Sequence, residues 1–305
     1  MNEQNAIIPA EYSQAIELVT NALTSHHSKR AYSRALVDFL AWRGDRPITK
    51  ALVNEYRQTL TGSAARVNLI MSAIRKLARE AADNGLIDQQ TANGIKAAPG
   101  VKAHGVRTGN WLSKQEAQSL LTCMDLVNSD GVVAPKAYRD RAILAVMIGG
   151  GLRRSEVSAL TFEHIQQRES RWVIVDIQGK GNHVRSVPVP SWVKVAIDEW
   201  RDVAGIDGGR VFRAIHKGGH LTRDEMTPQA IGDVVKHYGA VIGKPELAAH
   251  DLRRTYAKLA HKGGAGVDQI QLSLGHLSLK TTERYLGTQQ NLTDAPGDRL
   301  GLSLE

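Results

Sequence analysis

The chain of 305 residues carries 39 Lys and Arg against 31 Asp and Glu, a formal charge of +8 that suggests an anionic partner without naming one. With 42% hydrophobic and 23% charged residues it reads as a globular protein of about two domains, which excludes disordered and collagen-like classes. The single cysteine, Cys123, forms no internal disulfide and excludes zinc sites built on cysteine pairs, and no window approaches the ~18 apolar residues of a membrane span.

A reducing cytosol fits this cysteine usage, and the N-terminal residues lack the basic flank and apolar core of an export signal. From Glu11 to about Lys96 the pattern is helical. Ile16, Val19 and Leu23 mark a first helix. Tyr32, Ala35, Leu36, Phe39 and Leu40 follow Ser28 at three- and four-residue steps, and Gly44 closes that segment. Thr49 caps a helix with Leu52, Val53, Tyr56 and Leu60 inward. Ser63 starts another, with Val67, Ile70, Ile74 and Leu77 on one stripe, until Asn84-Gly85 stops it. That makes four helices. On the last, Arg66, Arg75, Lys76 and Arg79 avoid the stripe and form a basic surface.

Residues 1–96 are therefore expected as a helical domain and 97–112, proline- and glycine-bearing without periodicity, as a linker. A second domain, 113–305, opens on the capping box Ser113-Lys-Gln-Glu116. An apolar helix runs from about Tyr138 to Ile148 and breaks at Gly149-Gly150-Gly151, and a short helix follows Ser155. Alternating, β-branched residues from Trp172 to Gln178, a turn at 179–182 and a return strand from His183 to Val189 predict a β-hairpin. Helical patterns resume at 192–203, after Thr227-Pro228, at 251–262, at 268–274 and at 279–286. The fold class is mainly α with a small β-hairpin or sheet.

Four short segments combine cationic, imidazole and phenol groups beside glycine breaks or helix starts. They are Gly150-Gly-Leu-Arg153-Arg-Ser-Glu156, Gly179-Lys180-Gly181, His250-Asp-Leu-Arg253-Arg-Thr-Tyr256, and Leu274-Gly-His276 with Tyr285 nine residues on. Singly, each has an ordinary reading as a turn, a solvated lysine or a packed ring. In this order and spacing the sequence resembles the tyrosine recombinases, the family of phage integrases and Xer-type recombinases. The resemblance covers about 113–287 by motif and the first domain by architecture.

The resemblance implies a helical, SAM-like core-binding domain and a catalytic domain forming a clamp on double-stranded DNA. It implies a site-specific recombinase that cuts and rejoins strands through a 3′-phosphotyrosyl intermediate, within a homotetramer on two DNA sites and through a Holliday junction. Off DNA the protein is expected as a monomer or weak dimer. Tyr285 would be the nucleophile, with Arg153 and Arg253 on the phosphate, His250 as proton acceptor, Lys180 as donor to the leaving 5′ oxygen and His276 as a further hydrogen-bond donor. Fixed arginine donors stabilise the developing phosphate charge, so neither metal nor ATP is expected as cofactor. Glu156 would orient the arginines in a supporting role, and Arg66, Arg75, Lys76, Arg79, Arg154 and Arg254 would contact DNA.

The third box carries Arg254 where a second histidine is common, and the first carries Arg154 where an apolar residue is frequent. No arm-binding domain is expected ahead of residue 11, which favours a compact recombinase acting on short inverted core sites in the bacterial cytoplasm, at the nucleoid. The apolar tail, 298–305, is expected to dock on a neighbouring protomer. Two other readings compete: a tyrosine-dependent topoisomerase or hairpin-end resolvase, and a catalytically silent DNA-binding regulator. Other motifs carry less. His216-Lys-Gly-Gly-His220 has metal-pair spacing but two glycines that oppose a helix, and Gly149 to Gly151 lacks the Lys of a P-loop.

Overall fold

The computed structural model describes residues 10–102, 109–127, 131–179, 183–216, 220–276 and 278–286. The chain divides into two compact units, Met1–Arg107 and Thr108–Glu305.

The first unit is helical: α1 (Ala10–Asn21), α2 (His26–Arg43), α3 (Lys50–Thr59), α4 (Ala64–Asp83) and α5 (Gln89–Lys96). The apolar stripes read from the sequence meet in one core, with Leu36 and Phe39 of α2, Val53 of α3, and Met71, Ile74 and Leu77 of α4 all buried. Caps act as their residue types require: the Thr49 and Ser63 hydroxyls accept the backbone N–H groups of Leu52 and Arg66. Two details differ from the sequence reading. Helix α2 starts at His26, ahead of Ser28, so the His26-His27 pair forms its first turn. A fifth helix, α5, follows the four expected; it is capped by Asp88 and buries only Ala92 and Ile95, too few positions to make a periodic stripe.

The segment read as a linker is fastened at both ends. Ala98 is buried in the first core, its carbonyl accepts from Arg75 at 2.7 Å, and the Asn68 amide makes two hydrogen bonds to the backbone of Val101. Leu112 is fully buried in the second core, and its N–H donates to the Thr255 hydroxyl at 2.8 Å.

The second unit contains α6 (Lys114–Thr122), α7 (Pro135–Gly150), α8 (Arg154–Ala159), β1 (Ile165–Arg168), β2 (Arg171–Gln178), β3 (Val184–Val189), α9 (Ser191–Ala204), β4 (Arg213–Ile215), β5 (Leu221–Glu225), α10 (Pro228–Val241), α11 (Ala249–Lys262), α12 (Val267–Leu274) and α13 (Leu279–Leu286). From Ala142 to Gly150 helix α7 is apolar on all sides and buried, which makes that stretch the axis of the core. The capping box at Ser113 and Glu116 is present.

The predicted hairpin is β2 and β3, and β1 adds a third antiparallel strand that the polar run Ile-Gln-Gln-Arg concealed. Ile174 pairs with Val187 and Ile177 with Arg185, so two residues of β2, Val175 and Asp176, oppose one residue of β3. Asp176 takes a left-handed backbone there, at φ 55. A second hairpin, β4 and β5, brings His216 and His220 together through a backbone bond rather than along a helix. The fold is mainly α with small antiparallel sheets, as the sequence implied.

Candidate active site

The site is built where α7 ends. Gly151 turns the chain with a left-handed φ of 61, and a Cβ there would lie 2.7 Å from the Tyr256 ring, so the turn requires glycine on two counts. Arg153 then stands at the N-cap of α8, and Glu156 lies on its first turn. The Glu156 side chain is 2% exposed and accepts four N–H groups. Two come from Arg153, the backbone N–H at 2.8 Å and Nη1 at 2.7 Å. The other two come from the fork of Arg185 on β3, at 2.9 and 2.8 Å. Arg185 also donates Nε to the Ser273 carbonyl at 2.8 Å, tying β3 to α12.

Arg253, on α11, is the second arginine. Its side chain is buried, donating Nη1 to the Gly151 carbonyl at 2.7 Å and Nη2 to the Leu274 carbonyl. One residue thus joins the first box to the helix that precedes His276. Arg153, Arg154, Ser155, Ala248, Ala249, His250 and Arg253 line a cleft of about 370 Å³. A larger groove, about 620 Å³, lies among α6, α7 and α9 around Trp192 and carries none of the four boxes.

Both histidines are held toward the neutral form. Partial loss of hydration, then the positive charges of Arg254 and Arg253, lower the pKa of His250. For His276, desolvation followed by Arg253 and Arg153 brings it down to about 4. Glu156 stays ionised although burial opposes it, because the hydrogen bonds from Arg185, then the Arg153 N–H, outweigh desolvation. His276 Nδ1 and the buried Thr282 hydroxyl of α13 share a hydrogen bond of 3.0 Å. Leu286 docks α13 against Ala257 of α11 and Ile270 and Leu274 of α12. Tyr285 belongs to that docked helix, but its side chain lies outside the described residues, as do Lys180 and the tail 298–305.

The sequence matches the model of the phage integrase family over residues 110–291. The chain belongs to that family. It is 29% identical over 272 residues to the tyrosine recombinase XerC of Pseudomonas putida, covering 86% of this chain and 85% of that protein. It is 30% identical over 274 residues to XerC of Mycobacterium tuberculosis, covering 86% and 88%. Among solved structures, the XerH site-specific recombinase in a post-cleavage complex with palindromic difH substrate aligns with a TM-score of 0.69 at 20% identity, over 91% of this chain and 81% of that one. A lambda integrase dimer bound to a COC′ core site aligns at 0.67 and 16% identity, over 93% and 98%. These last two likenesses are of fold.

As a member of the phage integrase family, a group of DNA strand cleavage and rejoining enzymes, the chain brings Arg153, Glu156, His250, Arg253 and His276 into one electrostatic neighbourhood. The DNA-contact candidates fall differently. Arg66, Lys76 and Arg79 are exposed on α4, Arg79 within 3.8 Å of Asp83. Arg75 is half-buried and engaged with the Ala98 carbonyl, because the chain after α5 folds back over it. Arg154 is exposed at the cleft, and Arg254 is half-buried, 3.5 Å from Asp251. Arg185 and Thr282 were missed by sequence reasoning. The signal for Arg185 was an arginine in register with the buried Val187 and Val189 of an alternating strand; Thr282 gave none beyond its place one turn before Tyr285. Among the described residues, no group of three or more metal-ligating side chains occurs, and no helix is long and apolar enough to cross a membrane.

Proposed function

We propose that the chain is a site-specific recombinase that cleaves and rejoins double-stranded DNA through a covalent 3′-phosphotyrosyl intermediate. The observation that carries this reading is the cleft between α8 and α11, where Arg153, His250 and Arg253 stand together with no carboxylate among the lining residues. Two guanidinium groups lining one cleft place positive charge where a phosphate bound there develops charge on its nonbridging oxygens.

In the forward step the Tyr285 oxygen bonds to phosphorus and the bond from phosphorus to the 5′ oxygen breaks. The phenol, with an ordinary pKa of about 10, needs an acceptor as it attacks. The neutral imidazole of His250 takes that proton, and Lys180 gives one to the departing 5′ oxygen. In the tautomer that accepts from the Thr282 hydroxyl at Nδ1, His276 carries its proton on Nε2 and donates to the phosphate. The phosphotyrosyl bond keeps the energy of the phosphodiester, so rejoining needs no ATP, and the arginines do the electrostatic work without a metal ion.

Arg66, Lys76 and Arg79 of the first unit, and Arg154 and Arg254 beside the cleft, follow the phosphate backbone, with Arg75 adding charge from a half-buried position. Each unit binds DNA through its own basic surface, and four protomers on two sites exchange strands through a Holliday junction. The relatives solved with difH and COC′ DNA support double-stranded DNA as partner. The place of action is the bacterial cytoplasm. A nicked suicide duplex tests the reading: wild type traps a covalent protein–DNA adduct in the presence of a chelator, and Tyr285→Phe does not. Absence of an adduct on every cognate site, found by genomic mapping, overturns it.

A further inference from the structure

Arg185 is the charged residue of the site that no box names. Its side chain is 9% exposed, and all of its hydrogen-bonding directions seen here are turned inward, two to Glu156 and one to Ser273. It threads a narrow passage: a Cβ on Gly275 would sit 2.8 Å from its Cδ, and one on Gly179 would sit 3.4 Å from its Nη1. Unlike Arg253, Arg185 is not among the residues that line the cleft, so it does not meet a phosphate bound there. Its effect passes through Glu156.

A carboxylate beside one guanidinium makes a pair of zero net charge. If Glu156 faced Arg153 alone, the field of Arg153 at the cleft would be largely cancelled at the point where a phosphate needs it. With Arg185 on the other side of the same carboxylate, the three groups carry a net positive charge, and the Arg185 fork occupies both oxygens. The Arg153 side chain then keeps one hydrogen bond to Glu156, at 2.7 Å, and remains 29% exposed beside the cleft. The low dielectric around a carboxylate that is 2% exposed makes this balance count for more than it would at the surface.

We propose that Arg185 is a positioning residue that holds and charge-balances Glu156, so that Arg153 meets the scissile phosphate as an uncancelled cation. This rests on the reading of Arg153 as a phosphate-binding arginine. The same arrangement makes β3 part of the catalytic apparatus, since Arg185 binds α8 through Glu156 and α12 through Ser273.

The test is single-turnover cleavage of a nicked suicide duplex at saturating protein, with duplex affinity and thermal melting measured alongside. R185Q is expected to slow cleavage about 10- to 100-fold while the Kd for DNA stays within about threefold. Adding E156Q to R185Q is expected to restore cleavage by about fivefold or more, because a neutral amide no longer cancels Arg153. R185K keeps the charge and loses the fork, and is expected within about tenfold of wild type. A merely structural arginine predicts no such suppression: its loss and the loss of Glu156 would add.

The proposal is overturned if R185Q cleaves within about threefold of wild type, or if the double variant is no faster than R185Q. Should R185Q not fold, R185K decides: a folded R185K slower than wild type by more than about 100-fold overturns it, because the charge balance is then intact. Arg153→Lys and Tyr285→Phe in the same assay separate the two readings. Wild-type cleavage by Arg153→Lys defeats the underlying assignment of Arg153, whereas a slow Arg153→Lys with a fast R185Q defeats only the role of Arg185.

Discussion

Two buried carboxylates in the second unit sit between paired cations, and only one of them belongs to the proposed site. Asp140 of α7 is fully buried; Lys136 reaches it at 2.8 Å and Arg139 grips one oxygen through Nε and Nη2 at 2.9 and 2.7 Å. Arg139 is itself buried and donates Nη1 to the Arg213 carbonyl, and the adjoining cavity sets Glu225 and Asp233 against its cations. Glu156 is held as tightly, yet its partner Arg153 stays partly open beside a cleft whose charged lining is entirely cationic. A buried ion pair alone thus says little about function. What distinguishes the site is positive charge left unbalanced in a concave place, which is what a phosphate requires.

Substitutions sharpen the contrast, and the largest effect is expected on the functional side. Arg153→Lys should lower suicide-substrate cleavage by roughly 100-fold or more while moving the melting temperature little, since a lysine cannot present the planar fork. Asp140→Asn should do the reverse. Leaving Arg139 buried without its counter-charge is expected to cost about 3–5 kcal/mol in urea unfolding, with cleavage per folded molecule unchanged at low temperature. A slower Asp140→Asn enzyme at equal folded fraction would erase the distinction between the clusters.

Acid should separate the regions next. His276 binds its proton at about 4 in the folded chain and near 6.5 when unfolded, so between those values the unfolded state holds more protons. Stability is therefore expected to fall as the pH is lowered from about 6.5 toward about 4, read as a lower melting temperature, and His276→Gln should flatten that slope. Glu156, with its pKa lowered, adds its own loss only below the ordinary carboxylate range. The smallest effect is expected from Gly275→Ala. A left-handed φ of 61 and the Arg185 side chain 2.8 Å from the new Cβ should cost about 1–2 kcal/mol, with a modest slowing of cleavage that tracks the displaced arginine.

Much of this was legible in the residues. The stripes of α2 and α4, the caps at Thr49, Ser63 and Ser113, and the β2–β3 hairpin follow from local periodicity and hydrogen-bond chemistry, which act within a few residues. The boxes were legible because their residue types are chemically unusual beside glycine breaks. Arg185 was not, because its meaning depends on partners 29 and 88 residues away, Glu156 and Ser273, that only the folded chain supplies. Arg75 shows the converse: its place on the polar side of α4 pointed outward, and the return of the chain at Ala98 covered it. Strands β1, β4 and β5 are too short and polar for a two-residue period to register.

The bulge in β2 has a mechanical side. It bends a ribbon whose every pair beyond it could form without the extra residue, so its contribution is a direction rather than a contact. Gly179 lies three residues past Asp176, a lever of roughly 10 Å at the rise of a strand, and a change of about 20° at the bend would swing it by roughly 3–4 Å. That sweep exceeds the length of a hydrogen bond. Deleting Asp176 would remove the extra residue and with it the bend, which makes the hairpin an arm whose angle is set by chain length.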